Sequence, residues 1–218
     1  MATTGHLPSE LTETCLYWSE TLATLGSVDE KINFFRYELP AFVLDRPLLR
    51  NILHAVSNGD GFPDRRQGML FDNELLLYMD DRRRFSMRMY LYEPGEYTPI
   101  HDHSAWGVMG SACGKIEITK YRREDDGLRD GYASIQPAGR LMCPSGSTDF
   151  TLPLDEGIHR VGNPTDELIV VICVYGTPAR RLYINHFDPD RRRVVKVYPP
   201  RLKKKRLAVE ALKVIPRK

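Results

Sequence analysis

The feature that most limits what this 218-residue chain can fold into is a change of hydrophobic period near residue 70. Before it, apolar residues recur at three- and four-residue steps, the spacing of one helix face; after it the period falls to two, that of a pleated strand. Leu11, Cys15, Trp18, Leu22 and Leu25 form one helical stripe, with Ser9 placed to cap it and Gly26 to stop it. Ser27 and Glu30 make a capping-box pattern for a second helix through Phe35. Asp45 followed by Pro47 opens a third, carrying Leu48, Ile52 and Val56 up to Ser57, Asn58 and Gly59. From about Leu70 the runs ELLLYM, FSMRMYLY, GKIEITKY, DFTLPL, ELIVVICVY and RLYINHF are separated by turn-forming residues. Many short strands of this kind suit a jelly roll or barrel better than an open sheet, because closure or double layering removes exposed edges.

A hydrophobic content of 42% is enough for one core, so a single domain is expected over residues 1–218. Within it the reading places a helical segment at 1–60, a barrel at 68–200 and a basic tail at 201–218. The tail, RLKKKRLAVEALKVIPRK, reads as solvated surface. A net charge of only +2 gives no global field to recruit nucleic acid, and no apolar run is long enough to span a bilayer. Neither nucleic acid nor a membrane is an expected partner. Cys15, Cys113, Cys143 and Cys173 form no paired framework and the opening MATTGHLPSE has no apolar leader core, which together point to reduced thiols and a cytoplasmic location.

Chemistry concentrates in two stretches. His101 and His103 stand two apart in YTPIHDHSAW, so on an extended backbone their side chains share a face. His159 lies in DEGIHRVGN at the start of another strand signal, and three neutral imidazoles are a usual set for a divalent transition metal with open positions. His6, His54 and His186 have no such context. A histidine pair alone is a weak signal, since it also occurs as hydrogen-bonded structure.

The surroundings add to it. Gly95, His101, His103, Gly107 and Gly114 are spaced like the first cupin motif, with Gly107 where many cupins place a ligating glutamate, and Gly157, His159 and Asn163 resemble the second. Within the cupins, IHDHSAW, GIHRVGN and VYG resemble the thiol dioxygenases, namely cysteine dioxygenase and 3-mercaptopropionate dioxygenase, over roughly Phe85 to Phe187. The resemblance implies a mainly β cupin barrel, a double-stranded β-helix, behind the helical segment. It implies iron(II) held by His101, His103 and His159, and an active-site tyrosine at Tyr175. The implied reaction takes a small thiol, cysteine-like or 3-mercaptopropionate-like, with dioxygen to the sulfinic acid. Gly107 stands where mammalian-type members carry the cysteine that crosslinks to that tyrosine, so no thioether is expected.

The sequence also departs from the family. A serine and a histidine that usually precede the tyrosine at alternate positions correspond to Val171 and Cys173. Arg180 and Arg181 follow Tyr175 as an arginine pair follows the tyrosine in the 3-mercaptopropionate branch, with a shorter spacer; either one clamps a substrate carboxylate or both are solvated. Arg82, Arg83 and Arg84 read as a surface turn, which leaves Arg88 as a further carboxylate partner. On FSMRMYLY, Arg88, Tyr90 and Tyr92 share one face and Met87, Met89 and Leu91 the other; by resemblance the two tyrosines line the pocket, and Trp106 is one of its walls. Two other readings remain open: a three-histidine cupin that oxidises a non-thiol chelating substrate such as a diketone, and a cupin that only binds metal or ligand.

Overall fold

The computed structural model describes residues 8–58, 71, 73–177, 181 and 183–199. Three helices lead: α1 (Ser9–Thr24), α2 (Val28–Leu44) and α3 (Arg46–Ser57). Ser9 does not cap α1; Pro8 holds that position and the Ser9 hydroxyl bonds the neighbouring Glu10 carboxylate instead. The capping box of α2 is formed, with Ser27 Oγ accepting from the Glu30 amide at 3.1 Å and the Glu30 carboxylate accepting from the Ser27 amide at 2.9 Å. Contrary to the sequence reading, α2 does not stop at Phe35. Leu39, Phe42 and Val43 continue its buried stripe, and the helix accommodates Pro40 on the way. Asp45 then closes α2 and caps α3, its carboxylate accepting from the Leu48 amide at 3.0 Å.

Among the described residues the strands that follow are β1 (Glu74–Met79), β2 (Phe85–Tyr92), β3 (Ile100–His101), β4 (Gly107–Cys113), β5 (Ile116–Arg123), β6 (Ile135–Cys143), β7 (Thr148–Thr151), β8 (His159–Gly162), β9 (Ile169–Gly176), β10 (Ile184–Asp188) and β11 (Arg193–Val197). They form two sheets, ordered β1-β2-β9-β4-β7 and β11-β10-β3-β8-β5-β6. From β3 to β10 the chain passes back and forth between the sheets, leaving the second only for β4, β7 and β9. This winding of antiparallel strands around a shared interior is the two-layered jelly roll of the cupin fold. The described residues contain no helix long and apolar enough to cross a membrane.

The alternation along β2 separates two cores. Met87 and Met89 are fully buried against the helices, in a cluster with Trp18, Phe35, Phe42 and Trp106. Tyr90 and Tyr92 point the other way, into the barrel, where they meet Ile118, Val171 and Cys173. Phe35 joins the layers: its ring centroid lies 5.1 Å from that of Trp18 and 5.8 Å from those of Phe85 and Trp106. Trp106 therefore packs on the helix side of its sheet and does not wall the barrel interior.

Candidate metal centre and its cavity

Pairing of β3 with β8 sets His101 directly opposite His159, so the two imidazoles, 58 residues apart in sequence, project from neighbouring positions on the inner face. His103 follows two residues after His101, beyond the end of β3. One ring nitrogen from each of the three lies within 4.8 Å of the others. His103 Nε2 and His159 Nε2 are 3.1 Å apart, the separation reached by two nitrogens that each sit about 2.1 Å from a shared cation. His101 Nδ1 lies 2.9 Å from the Pro99 carbonyl. A carbonyl can only accept, so Nδ1 carries the proton and Nε2 keeps its lone pair for the centre of the cluster.

Burial strips these rings of charge. It pushes His101 down to about 4, and burial together with the neighbouring imidazoles holds His103 and His159 well below the ordinary histidine value. Three neutral imidazoles with converging lone pairs repel one another unless a proton or a cation sits among them. The donor set fits a divalent transition metal, and among the described residues no carboxylate joins this cluster.

Tyr175 on β9 lies face to face with His103, centroids 5.1 Å apart and planes within 23°. The space for its ring is made by Gly107: a Cβ there would meet Tyr175 Cδ1 at 2.6 Å. Gly107→Ala is accordingly expected to displace the ring and cost about 1–3 kcal/mol of stability. Thermal denaturation, with activity measured alongside, checks this; an alanine variant as stable as wild type would remove the steric account. Burial raises the Tyr175 hydroxyl well above the usual phenol range, so it stays protonated as a hydrogen-bond donor. Cys173 faces the same interior, its thiol pushed up to about 12 by burial.

A cavity of about 610 Å³ opens from His103 and Tyr175 toward the β1–β2 turn. Arg88, Tyr90, Glu74 and Phe71 line it. Arg88 sits 5.9 Å over the Tyr175 ring and forms an ion pair with Glu74, which is almost fully buried. The guanidinium Nε of Arg88 is buried with no hydrogen bond among the described residues. Tyr92 lies deeper, in a smaller void behind the histidines.

The arginine turn is not simply surface. Arg83 lines the cavity mouth, and Arg84 is tied by its backbone and side chain to Asp80 and Ser19. Arg181 does not point a free fork at the cavity: its two terminal nitrogens grip the carboxylate of Asp102, at 2.9 and 2.6 Å. The expected carboxylate clamp has thus met a carboxylate of the chain itself. Arg180 lies outside the described residues, as does the basic tail.

Sequence reasoning passed over His186, which β10–β3 pairing places directly opposite His101, ring centroids 6.4 Å apart. Its Nε2 is buried without a partner among the described residues, and its ring stacks on Phe71. No local motif marks it; only the register of the sheet brings it to the site.

No family model matches the chain. Among solved structures it is similar to a Cupin 2 conserved barrel domain protein from Salinispora arenicola, at 19% identity, over 52% of this chain and 83% of that one, with a TM-score of 0.37. It is also similar to the Cupin_2 domain of an XRE family transcriptional regulator from Enterobacter cloacae, at 12% identity, 48% and 95% coverage and a TM-score of 0.34. A third likeness is to hydroquinone 1,2-dioxygenase PnpCD, solved with Cd2+ and 4-hydroxybenzonitrile, at 9% identity, 48% and 64% coverage and a TM-score of 0.37. At such scores these likenesses carry no argument about activity. The class rests on the strand order and the site: a cupin-fold protein with a buried three-histidine cluster fit for a metal.

Proposed function

We propose that this protein is an iron(II)-dependent thiol dioxygenase, converting R–SH and O2 to the sulfinic acid R–SO2H. The observation that carries the reading is the buried, uncharged histidine cluster stacked against Tyr175 at the end of an open cavity. A ferrous ion held by His101, His103 and His159 would supply the redox chemistry that joins dioxygen to sulfur. The protein's own groups do the rest. Because the three imidazoles bring no negative charge, an ion held there would keep the full attraction of a dication for an anionic sulfur ligand. Tyr175 keeps its proton and offers a hydrogen bond beside His103. Arg88, above the same ring, presents its guanidinium to an anionic tail, which must share it with Glu74. Tyr90 and Phe71 exclude water from the inner end.

Oxidation of a larger chelating substrate such as an enolisable dicarbonyl is the second reading. Two observations favour it: the cavity volume falls in the range that holds drug-sized ligands, and Val171 and Cys173 do not offer the serine and histidine that hold the tyrosine in the family this chain resembles. Anaerobic iron loading, followed by oxygen uptake with 3-mercaptopropionate, cysteine and a set of dicarbonyls, separates the two. The thiol reading expects one O2 consumed per thiol and a product heavier by both oxygen atoms; consumption with dicarbonyls alone, or with none of them, rejects it.

A further inference from the structure

His103 carries a third of the ligand set, yet no sheet ladder holds it. Strand β3 ends at His101, and residues 102–106 have no regular structure. The backbone carbonyl of His103 accepts from the Leu154 amide at 2.7 Å, its ring stacks on Tyr175, and its neighbour Asp102 is itself fastened. That side chain is completely buried and turned away from the histidine face. Its Oδ2 accepts from Arg181 Nη1 at 2.9 Å and from Asn185 Nδ2 at 2.9 Å. Its Oδ1 accepts from Arg181 Nη2 at 2.6 Å and from the Asn185 amide at 2.7 Å. The Asp102 amide in turn donates to the Asn185 carbonyl at 3.2 Å. Both carboxylate oxygens are thus fully engaged, one by each prong of a planar fork, which fixes the carboxylate in rotation as well as position.

We propose that Asp102 and Arg181 form a positioning pair for the metal centre, holding the loop between His101 and His103 at the spacing a single ion requires and so setting the affinity and ligand geometry of the site. The inference rests on reading the three histidines as a metal site and is independent of the substrate. It gives Arg181 a role through Asp102 rather than through a substrate carboxylate. Loosening a group that orients metal ligands generally costs about 10- to 100-fold in metal affinity.

Removing one partner alone would strand a buried charge, so the test uses Asp102→Asn combined with Arg181→Gln, which discharges both at similar shape. Arg181→Lys, made separately, keeps the charge and loses the fork. Cobalt(II) serves as the probe, read by its dissociation constant and its visible absorption bands, with the melting temperature of the metal-free protein measured beside them. The double variant is expected to bind cobalt about 10- to 100-fold more weakly with altered bands, and Arg181→Lys to fall between it and wild type. Ser19→Ala is the stability control: it removes a buried hydroxyl that bonds Asp80 at 2.7 Å under α1, and should lower the melting temperature while leaving affinity and bands unchanged. If the double variant does not fold, Arg181→Lys alone decides. Wild-type affinity and bands in the variants would overturn the positioning pair and leave the metal site standing; a wild-type protein that binds no cobalt would overturn both.

Discussion

His159→Ala is expected to weaken divalent-ion binding by more than about 100-fold, since it removes a ligand outright where loss of an orienting neighbour already costs about 10- to 100-fold. The effect reads out without any enzyme assay. At an ion concentration near 100 times its dissociation constant, wild type gains about 2.7 kcal/mol of stability from the ion, whereas a variant bound 100-fold more weakly gains about 0.4 kcal/mol. The ion-dependent rise in melting temperature should therefore almost disappear. His186→Ala is the matching control, because His186 stands beside His101 but outside the cluster of converging nitrogens. It should keep the ion-dependent rise. A His159→Ala protein that still gains several degrees with added iron(II) or cobalt(II), or equal losses in both variants, would dissolve the assignment of ligands.

The parts of this molecule that a reader can take from sequence are those where one local cause acts alone. The capping box at Ser27 and Glu30 and the shared face of Arg88, Tyr90 and Tyr92 depend only on residues a few places apart. Strand β4, GVMGSAC, left no period-two signal because its small residues answer to distant neighbours. A Cβ on Gly110 would press on Val43 and Leu39 of α2 at 3.0 and 3.2 Å, and Gly107 makes way for Tyr175. Strand β6 was also illegible, for the opposite reason: it is an edge strand whose residues from Gln136 to Arg140 are all exposed, so no buried face imposed an alternation on them. The helix α2 outran its predicted end at Phe35 because tertiary packing of Leu39, Phe42 and Val43 outweighs the local cost of Pro40. At the site, His101, His103 and His159 carried motif signals, whereas Asp102–Arg181, 79 residues apart, and the opposition of His186 to His101 exist only once the sheet register is set.

Acid should begin to destabilise the metal-free protein well above the pH at which its carboxylates are neutralised. In the unfolded chain the three histidines titrate near 6.5; in the folded state burial holds His101 at about 4, with His103 and His159 also well below the ordinary value. Because the folded pKa values are lowered, the stability tied to these groups is fully present above about pH 6.5. It drains away as pH falls, since only the unfolded state takes up protons in that interval. A histidine protonated in the unfolded chain alone contributes a limiting slope of about 1.4 kcal/mol per pH unit, and all of the lowered histidines act with the same sign. Between pH 6.5 and pH 5 the His101 shift alone amounts to about 1.6 kcal/mol, and the lowered His103 and His159 act in the same direction. Urea midpoints measured on chelator-treated protein from pH 7.5 to 4.5 test this directly. The expected curve is flat above pH 7 and falls below 6.5, and His103→Gln should make the fall shallower by deleting one protonation site. Saturating metal should move the fall to lower pH, because the ion and the protons compete for the same lone pairs. Urea midpoints independent of pH over that interval would mean that the rings are already protonated or solvated in the fold, and the buried neutral cluster on which the metal site depends would not exist.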